Sequence, residues 1–271
     1  MLYVVATPIG NLADLSERAI KTLSEVDFIA AEDTRNTLRL LMSLGISKTL
    51  VSYHEHNKRE AGERIVERLA AGESCALVTD AGTPAISDPG EDLVALCAHS
   101  CIPVTSVPGA CALISALALS GLPTRRFAFE GFLPVKTKER RERLTVLSAE
   151  ERTFILHEAP HKLKSTLEDL CKTFGEDRRI AICRELTKIN EEIQRCTLGE
   201  AVRIYSEREP RGEYVLVIEG GRVFENEQPE MSPLEAVAYY EKNGMTKNDA
   251  IKAAAKLLGI PRNEVYKLTI S

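Results

Sequence analysis

Ionisable and amide side chains suited to proton transfer follow three of the predicted strands in this chain of 271 residues. A positioned acid or base of this kind accelerates a reaction by about 10²–10⁴-fold. The candidates are Glu32, Asp33 and Arg35 after the second strand, His54, Glu55, His56 and Asn57 after the third, and Glu185 and Lys188 after a later strand. Each group also has a structural interpretation: a helix N-cap with an ion pair for residues 32–35, a surface loop for the histidines, and a solvated side chain for Lys188.

Stiff loops rich in proline and glycine follow three apolar runs. Residues 79–90 hold two glycines, two prolines and two aspartates, and they come directly after the apolar run 75–78. Shorter loops of the same character are residues 7–11, after the first strand, and residues 108–109. A loop of this kind at the end of a parallel strand is suited to hold a ligand against exposed backbone groups. The three loops therefore predict one ligand crevice at the carboxyl edge of a sheet.

Strand and helix patterns alternate through the first 120 residues. The predicted strands are residues 2–6, 27–31, 50–53, 75–79 and 102–107, and the helices between them are residues 14–24, 34–44, 58–71, 89–99 and 110–120. Such alternation is typical of an α/β fold in which helices cover both faces of a mostly parallel sheet. A break at residues 121–124 ends this part of the chain.

A second set of elements follows the break. Its predicted strands are residues 127–132, 153–157, 179–184, 191–196 and 213–219, and its helices are residues 138–148, 160–173 and 198–207. The short connection between strands 179–184 and 191–196 predicts an antiparallel pair, so this sheet is expected to be mixed. We therefore predict two α/β domains, residues 1–121 and 122–224.

The last part of the chain has a different character. After the polar segment 225–229, Ser232 and Pro233 form a helix start, and three short helices are predicted at residues 233–243, 246–258 and 261–268. We predict a separate helical module, residues 225–271, whose pattern is similar to a helix-turn-helix. A packing or dimerisation appendage is an equal alternative from the pattern alone.

Charge and cysteine content limit the classes of function. The net charge is −5, yet residues 125–143 hold seven basic against three acidic side chains, and residues 241–271 hold six against three. These segments favour a phosphate-rich partner. The seven cysteines lack a CxxC pair, which predicts reduced thiols in a cytoplasmic protein. We predict no metal site, because the sequence near the two histidines at positions 54 and 56 offers no third ligand. We also predict no membrane span, because prolines divide the uncharged segment 100–124.

Six motifs in a fixed order carry a family resemblance. They are ATPIGNL at residues 6–12, AEDTR at 31–35, LVTDAGTPAISDPG at 77–90, VPGA at 107–110, RELTK at 184–188 and GEYV at 212–215. Together they resemble the tetrapyrrole-methylase superfamily and, within it, the family that methylates a cytidine 2′-hydroxyl in 16S rRNA of the small ribosomal subunit. The resemblance covers nearly the whole chain. It implies two α/β domains that bind S-adenosyl-L-methionine (SAM) in the cleft between them, and a homodimer.

The resemblance also implies which residues contact the cofactor, mostly through backbone groups. From the first domain these are Pro8 on the cleft floor, Asp80, Gly82, Ile86 and Ser87 on the methionine and ribose side, and Pro108, Cys111 and Ala112 in the third loop. From the second domain they are Glu158, Leu186 and Tyr214. For the reaction itself, the candidates to position or deprotonate the acceptor hydroxyl are Glu32, Arg35, His54, Asn57 and Lys188.

One departure separates the chain from the porphyrin-methylating members. Those members carry an aspartate in a GDP-type loop, where this sequence has Thr83. The departure favours the RNA family, with contacts to the RNA backbone from residues 138–143 and the basic tail. Tyr53 and Phe132 are candidate platforms for an unstacked base, and core packing is the alternative for both. Two alternatives stay open: a SAM-dependent methylase of a small tetrapyrrole, and a non-enzymatic nucleic-acid-binding protein.

Overall fold

The computed structural model describes residues 1–221 and 231–269. The chain divides into two compact units, Met1–Gly220 and Gly221–Ser271, which are described separately. The polar segment 225–229 and the domain boundary predicted after residue 224 lie outside the described residues. No helix within the described ranges is both long and apolar enough to cross a bilayer.

The first sheet of the larger unit is parallel throughout. Its strands are β1 (Leu2–Val5), β2 (Phe28–Ala31), β3 (Thr49–Ser52), β4 (Cys75–Val78) and β5 (Val104–Val107), in the spatial order β3-β2-β4-β1-β5. The strands β2 and β4 are buried along their whole length, as expected for a parallel sheet covered on both faces. This confirms the predicted parallel α/β architecture.

The helices of this first lobe are α1 (Glu17–Glu25), α2 (Thr34–Ser43), α3 (Lys58–Ala70), α4 (Gly90–His99) and α5 (Ala112–Ser120). The first of them begins three residues later than predicted. Leu12–Asp14 forms a short 3-10 turn capped by Asn11, and the Ser16 hydroxyl then caps α1 by accepting a hydrogen bond from the backbone N–H of Ala19. The end of the turn and the two cap residues, Leu15 and Ser16, therefore occupy the first three positions of the predicted helix.

The second sheet is mixed, as predicted. Its strands are β6 (Phe127–Gly131), β7 (Thr153–Glu158), β8 (Arg179–Arg184), β9 (Glu192–Thr197) and β10 (Tyr214–Ile218), in the order β6-β7-β10-β8-β9. Only β6 and β7 run parallel, and β8 pairs with β9 antiparallel. The helices α6 (Thr137–Ser148), α7 (Pro160–Phe174) and α8 (Leu198–Glu207) complete this second lobe.

Helix α5 joins the two lobes. It follows β5 of the first sheet, yet it packs against β7, β8, β9 and β10 of the second sheet. Leu113, Ala116 and Leu117 of this helix share one buried apolar cluster with Ile155 and Val217. The burial of this uncharged helix fixes the second sheet beside the loops of the first, because a well-packed apolar interface resists displacement.

The smaller unit has three helices in its described residues, α9 (Pro233–Lys242), α10 (Lys247–Leu258) and α11 (Arg262–Leu268). Ser232 forms a reciprocal capping box with Glu235 at the start of α9, and Gly259 ends α10 in the left-handed conformation. The three helices bury a core of small and aliphatic side chains, among them Ala236, Ala250 and Val265. The predicted helical module is therefore present.

Candidate active site at the carboxyl edge of the parallel sheet

The loops that follow β1, β4 and β5 meet, because these three strands are neighbours in the sheet. The backbones of Thr7 and Gly82 exchange two hydrogen bonds of 2.9 and 3.1 Å. The Thr7 hydroxyl donates to the carbonyl oxygen of Thr79 at 3.1 Å. The Thr83 hydroxyl donates to the carbonyl oxygen of Ala110 at 3.1 Å. The three proline- and glycine-rich loops thus form one connected wall.

An open cavity between this wall and the second lobe, here called the interlobe crevice, is the first candidate ligand site. The first lobe contributes Ile9, Glu32, Thr79, Ala81, Gly82, Thr83, Ile86, Ser87, Asp88, Cys111, Ala112 and Leu113, and the second lobe contributes Phe129, Gly131, Phe132 and His157. Apolar side chains, bare backbone and two carboxylates therefore share one concave surface. This mixture is typical of small-molecule sites.

The loop after β4 is held in a strained conformation beside the crevice. Ala85 and Ser87 have φ angles of 66° and 63°, a region that residues other than glycine adopt at a cost of about 1–3 kcal/mol each. One carboxylate oxygen of Asp88 fixes the conformation by accepting hydrogen bonds from the backbone N–H groups of Ala85 at 2.9 Å and Gly90 at 2.7 Å. Strain that is maintained in this way is characteristic of ligand-binding loops.

Two carboxylates give the crevice a negative character. Glu32 accepts a hydrogen bond from the Thr79 hydroxyl at 2.6 Å, and neither Glu32 nor Asp88 forms an ion pair with any described residue. Burial raises the pKa of Asp88 against the effect of its two backbone hydrogen bonds, and the nearby charge of Glu32 raises it further. A cationic ligand in the crevice would compensate both negative charges.

Aromatic rings form the wall from the second lobe. The ring centroid of His157 lies 5.2 Å from that of Phe129 and 5.7 Å from that of Phe132, both in edge-to-face geometry. The Nε2 atom of His157 is buried and has no hydrogen-bond partner among the described residues. Burial lowers the pKa of this imidazole, and only Glu213 opposes the shift. His157 therefore brings a neutral polar ring to the crevice.

The two predicted base-stacking residues differ in outcome. Phe132 is 64% exposed at the crevice, so it stays available for stacking. The prediction for Tyr53 is wrong, because this side chain is only 1% exposed and its hydroxyl donates to the carbonyl oxygen of Pro89 at 3.0 Å. Tyr53 directly follows β3 and turns into the apolar core of the first lobe.

A second cavity, here called the α2 pocket, lies beside the crevice. It is lined by Thr7, Pro8, Gly10, Leu12, Asn36, Thr37, Arg39, Leu40, Ser43, Thr79 and Asp80. Thr79 lines both cavities. The Asn36 side-chain amide donates to a carboxylate oxygen of Asp80 at 3.0 Å, which connects helix α2 to the loop after β4.

The structure distributes the predicted cofactor residues over several places. Gly82, Ile86, Ser87, Cys111 and Ala112 line the crevice, whereas Pro8 and Asp80 line the α2 pocket, and Pro108 is exposed in the loop after β5. The three predicted residues from the second lobe line neither cavity. Glu158 accepts hydrogen bonds from the Thr166 hydroxyl and from the backbone N–H of Ala159. Leu186 is buried in the apolar cluster around α5, and Tyr214 is buried in the core beneath α7 and α8.

Among the predicted acid–base candidates, only Glu32 lines the crevice. The side chain of Arg35 is 85% exposed and forms an ion pair with Asp33 at 2.7 Å. Asp33 is also the N-cap residue of α2. Asn57 accepts from the backbone N–H of His54 at 2.8 Å and donates to the Ser52 carbonyl at 3.0 Å, so it braces the loop after β3. The contacts of Arg35 match the N-cap and ion pair that were its structural interpretation, and the catalytic roles of Arg35 and Asn57 stay predictions.

Lys188 occupies a specific position over the first loop. Its Nζ donates to Glu185 and to Glu213, each at 2.9 Å. A Cβ atom added to Gly10 would lie 2.4 Å from Cγ of Lys188, so only glycine allows this close approach. The solvated-lysine interpretation therefore does not hold. Lys188 connects the second lobe to the loop that carries Pro8.

Several lining residues were not among the predicted site residues. Phe129, Gly131 and His157 come from the ends of β6 and β7, and Asn36 and Arg39 come from one face of α2. The rule that ligands bind beyond the carboxyl ends of parallel strands applies to β6 and β7 as well, so it could have indicated the first three. No sequence signal identified the face of α2.

Comparison with known proteins places this site in a family. The family model described as "Tetrapyrrole (Corrin/Porphyrin) Methylases" matches residues 1–202. A ribosomal RNA small subunit methyltransferase I of Synechocystis is 46% identical over 100% of this chain and 97% of its own. The enzyme of that name in Halalkalibacterium halodurans is 47% identical over 98% of this chain and 93% of its own. The chain belongs to the tetrapyrrole methylase family, in its ribosomal RNA small subunit methyltransferase I branch.

Solved structures confirm the fold of this family. A uroporphyrin-III C-methyltransferase of Thermus thermophilus, complexed with S-adenyl homocysteine, aligns with a TM-score of 0.56 at 17% identity over 80% of this chain and 96% of its own. The methyltransferase CobJ aligns with a TM-score of 0.59 at 16% identity over 81% and 94%. Both likenesses concern the fold. They agree with the two lobes described above and with the predicted family resemblance.

Proposed function

We propose that this chain is a SAM-dependent methyltransferase that modifies the 2′-hydroxyl of a cytidine in 16S rRNA of the small ribosomal subunit. The branch of the family supports rRNA as the substrate. The single observation that carries the proposal is the interlobe crevice, where three strand-end loops meet beside two carboxylates that form no ion pair with a described residue. The specific acceptor, a cytidine ribose, comes from the motif resemblance.

The residues of the crevice fit this cofactor. SAM carries a sulfonium and an ammonium cation, and Glu32 and Asp88 offer matching negative charge. Gly82 lets the loop after β4 reach Thr7, because its φ of 87° favours glycine and its backbone N–H and C=O both pair with that residue. We propose that Gly82, Ile86, Ser87, Cys111 and Ala112 hold the cofactor in the crevice. The other residues implied by the resemblance lie outside the lining of the crevice: Pro8, Asp80, Pro108, Glu158, Leu186 and Tyr214. When bound, SAM supplies a methyl group made electrophilic by its sulfonium.

Glu32 is our choice for the group that accepts the proton of the acceptor hydroxyl. It is the only one of the five predicted acid–base candidates that lines the crevice, and Thr79, which also lines the α2 pocket, holds its carboxylate. A fixed base contributes about 10²–10⁴-fold, and correct orientation of the two reactants supplies up to about 7–11 kcal/mol. Lys188 and Arg35 are proposed to act on the RNA side.

We expect the RNA backbone to contact exposed cations that form no ion pair in the described part of the chain. Within the described residues, Arg125, Arg126 and Arg141 are exposed and form no ion pair. By contrast, Arg140 pairs with Asp169 and Arg143 pairs with Glu130. The first three therefore carry the proposed electrostatic attraction to phosphates, together with the basic side chains of α10.

The test uses purified protein, radiolabelled SAM and 30S subunits from cells that lack the endogenous enzyme. Label at one cytidine that resists alkaline cleavage would establish ribose methylation. SAM binding without transfer to 30S subunits or to free 16S RNA would instead favour the small-tetrapyrrole methylase. RNA binding without SAM binding would favour the non-enzymatic alternative. Sedimentation of the same preparation tests the proposed homodimer.

A further inference from the structure

The α2 pocket has a position that suits the nucleotide to be modified. It has a volume of about 380 Å³ and adjoins the interlobe crevice at Thr79. The hydroxyl of Thr79 holds Glu32, our choice for the base, at the crevice side of this boundary. A nucleoside with its base in the α2 pocket would therefore have its ribose near Thr79, between the base-binding side chains and the crevice.

We infer that the α2 pocket receives the unstacked base of the acceptor nucleotide and that Asp80, positioned by Asn36, selects cytosine over uracil. This inference rests on the proposed function and adds to it the site that reads the base. The alternative role for Asp80 is the one implied by the family resemblance, a contact to the cofactor. The two roles predict opposite results, because only the second involves SAM affinity.

Hydrogen-bond chemistry supports cytosine. One carboxylate oxygen of Asp80 accepts from the Asn36 amide at 3.0 Å, and both residues are exposed, so the other oxygen is open to a ligand. A carboxylate only accepts hydrogen bonds, and cytosine presents an amino donor at N4 where uracil presents a carbonyl acceptor. A uracil base at the same position would place two acceptors against each other. The remaining oxygen of Asp80 therefore discriminates between the two pyrimidines.

The rest of the lining fits a base with its phosphate. Pro8, Leu12 and Leu40 provide apolar surface for the ring faces. Arg39 also lines the pocket, is exposed, and forms no ion pair with any described residue. Its guanidinium is therefore free to bind a phosphate oxygen of the same strand. The pocket thus combines a selective edge, apolar walls and one available cation.

The test compares Asp80→Asn with wild type on two substrates, 30S subunits with the natural acceptor cytidine and subunits in which that cytidine is replaced by uridine. An asparagine amide can donate to the uracil carbonyl. We expect kcat/KM on cytidine to fall between about 5- and 150-fold, while the rate on uridine relative to cytidine rises. The Kd for SAM, measured by calorimetry, should stay within about twofold of wild type.

Two further variants complete the test. Asn36→Ala should lower cytidine preference in the same direction, because it removes the group that orients Asp80. Asp177→Asn, a surface change in the turn between α7 and β8, should behave as wild type. Loss of SAM affinity in Asp80→Asn, or an unchanged ratio of cytidine to uridine in both pocket variants, would overturn the inference. A wild-type protein that binds SAM but methylates neither substrate would refute the proposed function itself.

Discussion

The Thr79 hydroxyl donates a hydrogen bond to a carboxylate oxygen of Glu32 at 2.6 Å, across the ends of two neighbouring strands. The pair is a consequence of the parallel register. Ala31 at the end of β2 lies opposite Val78 at the end of β4, so the residues that follow each strand are also side by side. Two positions 47 residues apart in the chain thus hold one carboxylate at the border of both cavities.

Removing this hydroxyl tests whether the position of Glu32 matters for the reaction. Thr79→Val keeps the shape of the side chain and its β-branch. A hydrogen bond to a charged group contributes about 1.5–3 kcal/mol, so we expect kcat to fall by about tenfold or more. Initial rates of methyl transfer measure the effect, and calorimetry should show SAM affinity within about twofold of wild type.

The matched control is Thr22→Val. The Thr22 hydroxyl donates to the carbonyl of Arg18 in its own helix, on the exposed side of α1. This variant should retain the wild-type rate. A rate equal to wild type for Thr79→Val as well would show that Glu32 needs no support from Thr79, and would count against Glu32 as the base.

Alanine substitutions at two glycines distinguish the effect of backbone strain from an effect on ligand binding. Gly82 in the crevice has a φ of 87° and Gly72 in a surface turn has a φ of 100°. Alanine in such a conformation costs about 1–2 kcal/mol, so both Gly82→Ala and Gly72→Ala should lower the free energy of unfolding by that amount. Only Gly82→Ala should weaken SAM binding, because Gly82 lines the crevice, whereas a Cβ added at Gly72 would meet no described atom within 4 Å.

Urea denaturation and calorimetry on the same two variants provide the measurements. The comparison is informative because both substitutions add one methyl group at a positive φ. If the two variants lost SAM affinity equally, the effect would be a general consequence of lower stability. The loop after β4 would then have no special role in binding the cofactor.

Most elements of the fold could be predicted because their signals are local. Apolar runs mark β2 and β4, and the break at residues 121–124 marks the end of α5. The start of α1 could not be predicted from periodicity, because capping by Asn11 and Ser16 decides it. Local signals therefore identified the elements, and side-chain hydrogen bonds adjusted their ends.

The site was only partly predictable for a different reason. Gly82 and Ser87 belong to a loop whose composition alone indicates a ligand site. His157 and Phe129 reach the crevice only because α5 packs against the second sheet, which is a contact between distant parts of the chain. For Tyr53 the sequence left both a stacking platform and core packing open, because nothing in its neighbourhood shows which way the chain turns the ring, and the structure shows core packing.

Lys188 is expected to serve the RNA side of the reaction. Lys188→Ala removes the cation that Glu185 and Glu213 share over Gly10. We expect slower methylation with SAM affinity within about threefold of wild type, and a stability loss of only about 0–1 kcal/mol because the pair is partly exposed. Single-turnover rates and calorimetry measure these quantities.

Arg35→Ala is the companion variant in the first lobe. Its guanidinium is 85% exposed and already paired with Asp33. The same outcome is expected, with slower methylation and retained SAM affinity. If either variant loses SAM binding in calorimetry, the assignment of that residue to the RNA side is wrong.

His157 should make the stability of the larger unit depend on pH. Burial lowers the pKa of this imidazole below its ordinary value of about 6.5, with Glu213 opposing the shift. The unfolded chain then binds more protons than the folded chain as the pH falls below about 6.5, so the folded state loses stability there. His157→Phe keeps a ring between Phe129 and Phe132 but removes the titration.

Urea unfolding at about pH 7.5 and about pH 5.5 measures the effect. Between these two values the free energy of unfolding should fall less for His157→Phe than for wild type. His161→Phe, at an exposed position of α7, should match wild type. Equal losses in the wild type and in both variants would mean that His157 is protonated as easily in the folded protein as in the unfolded chain.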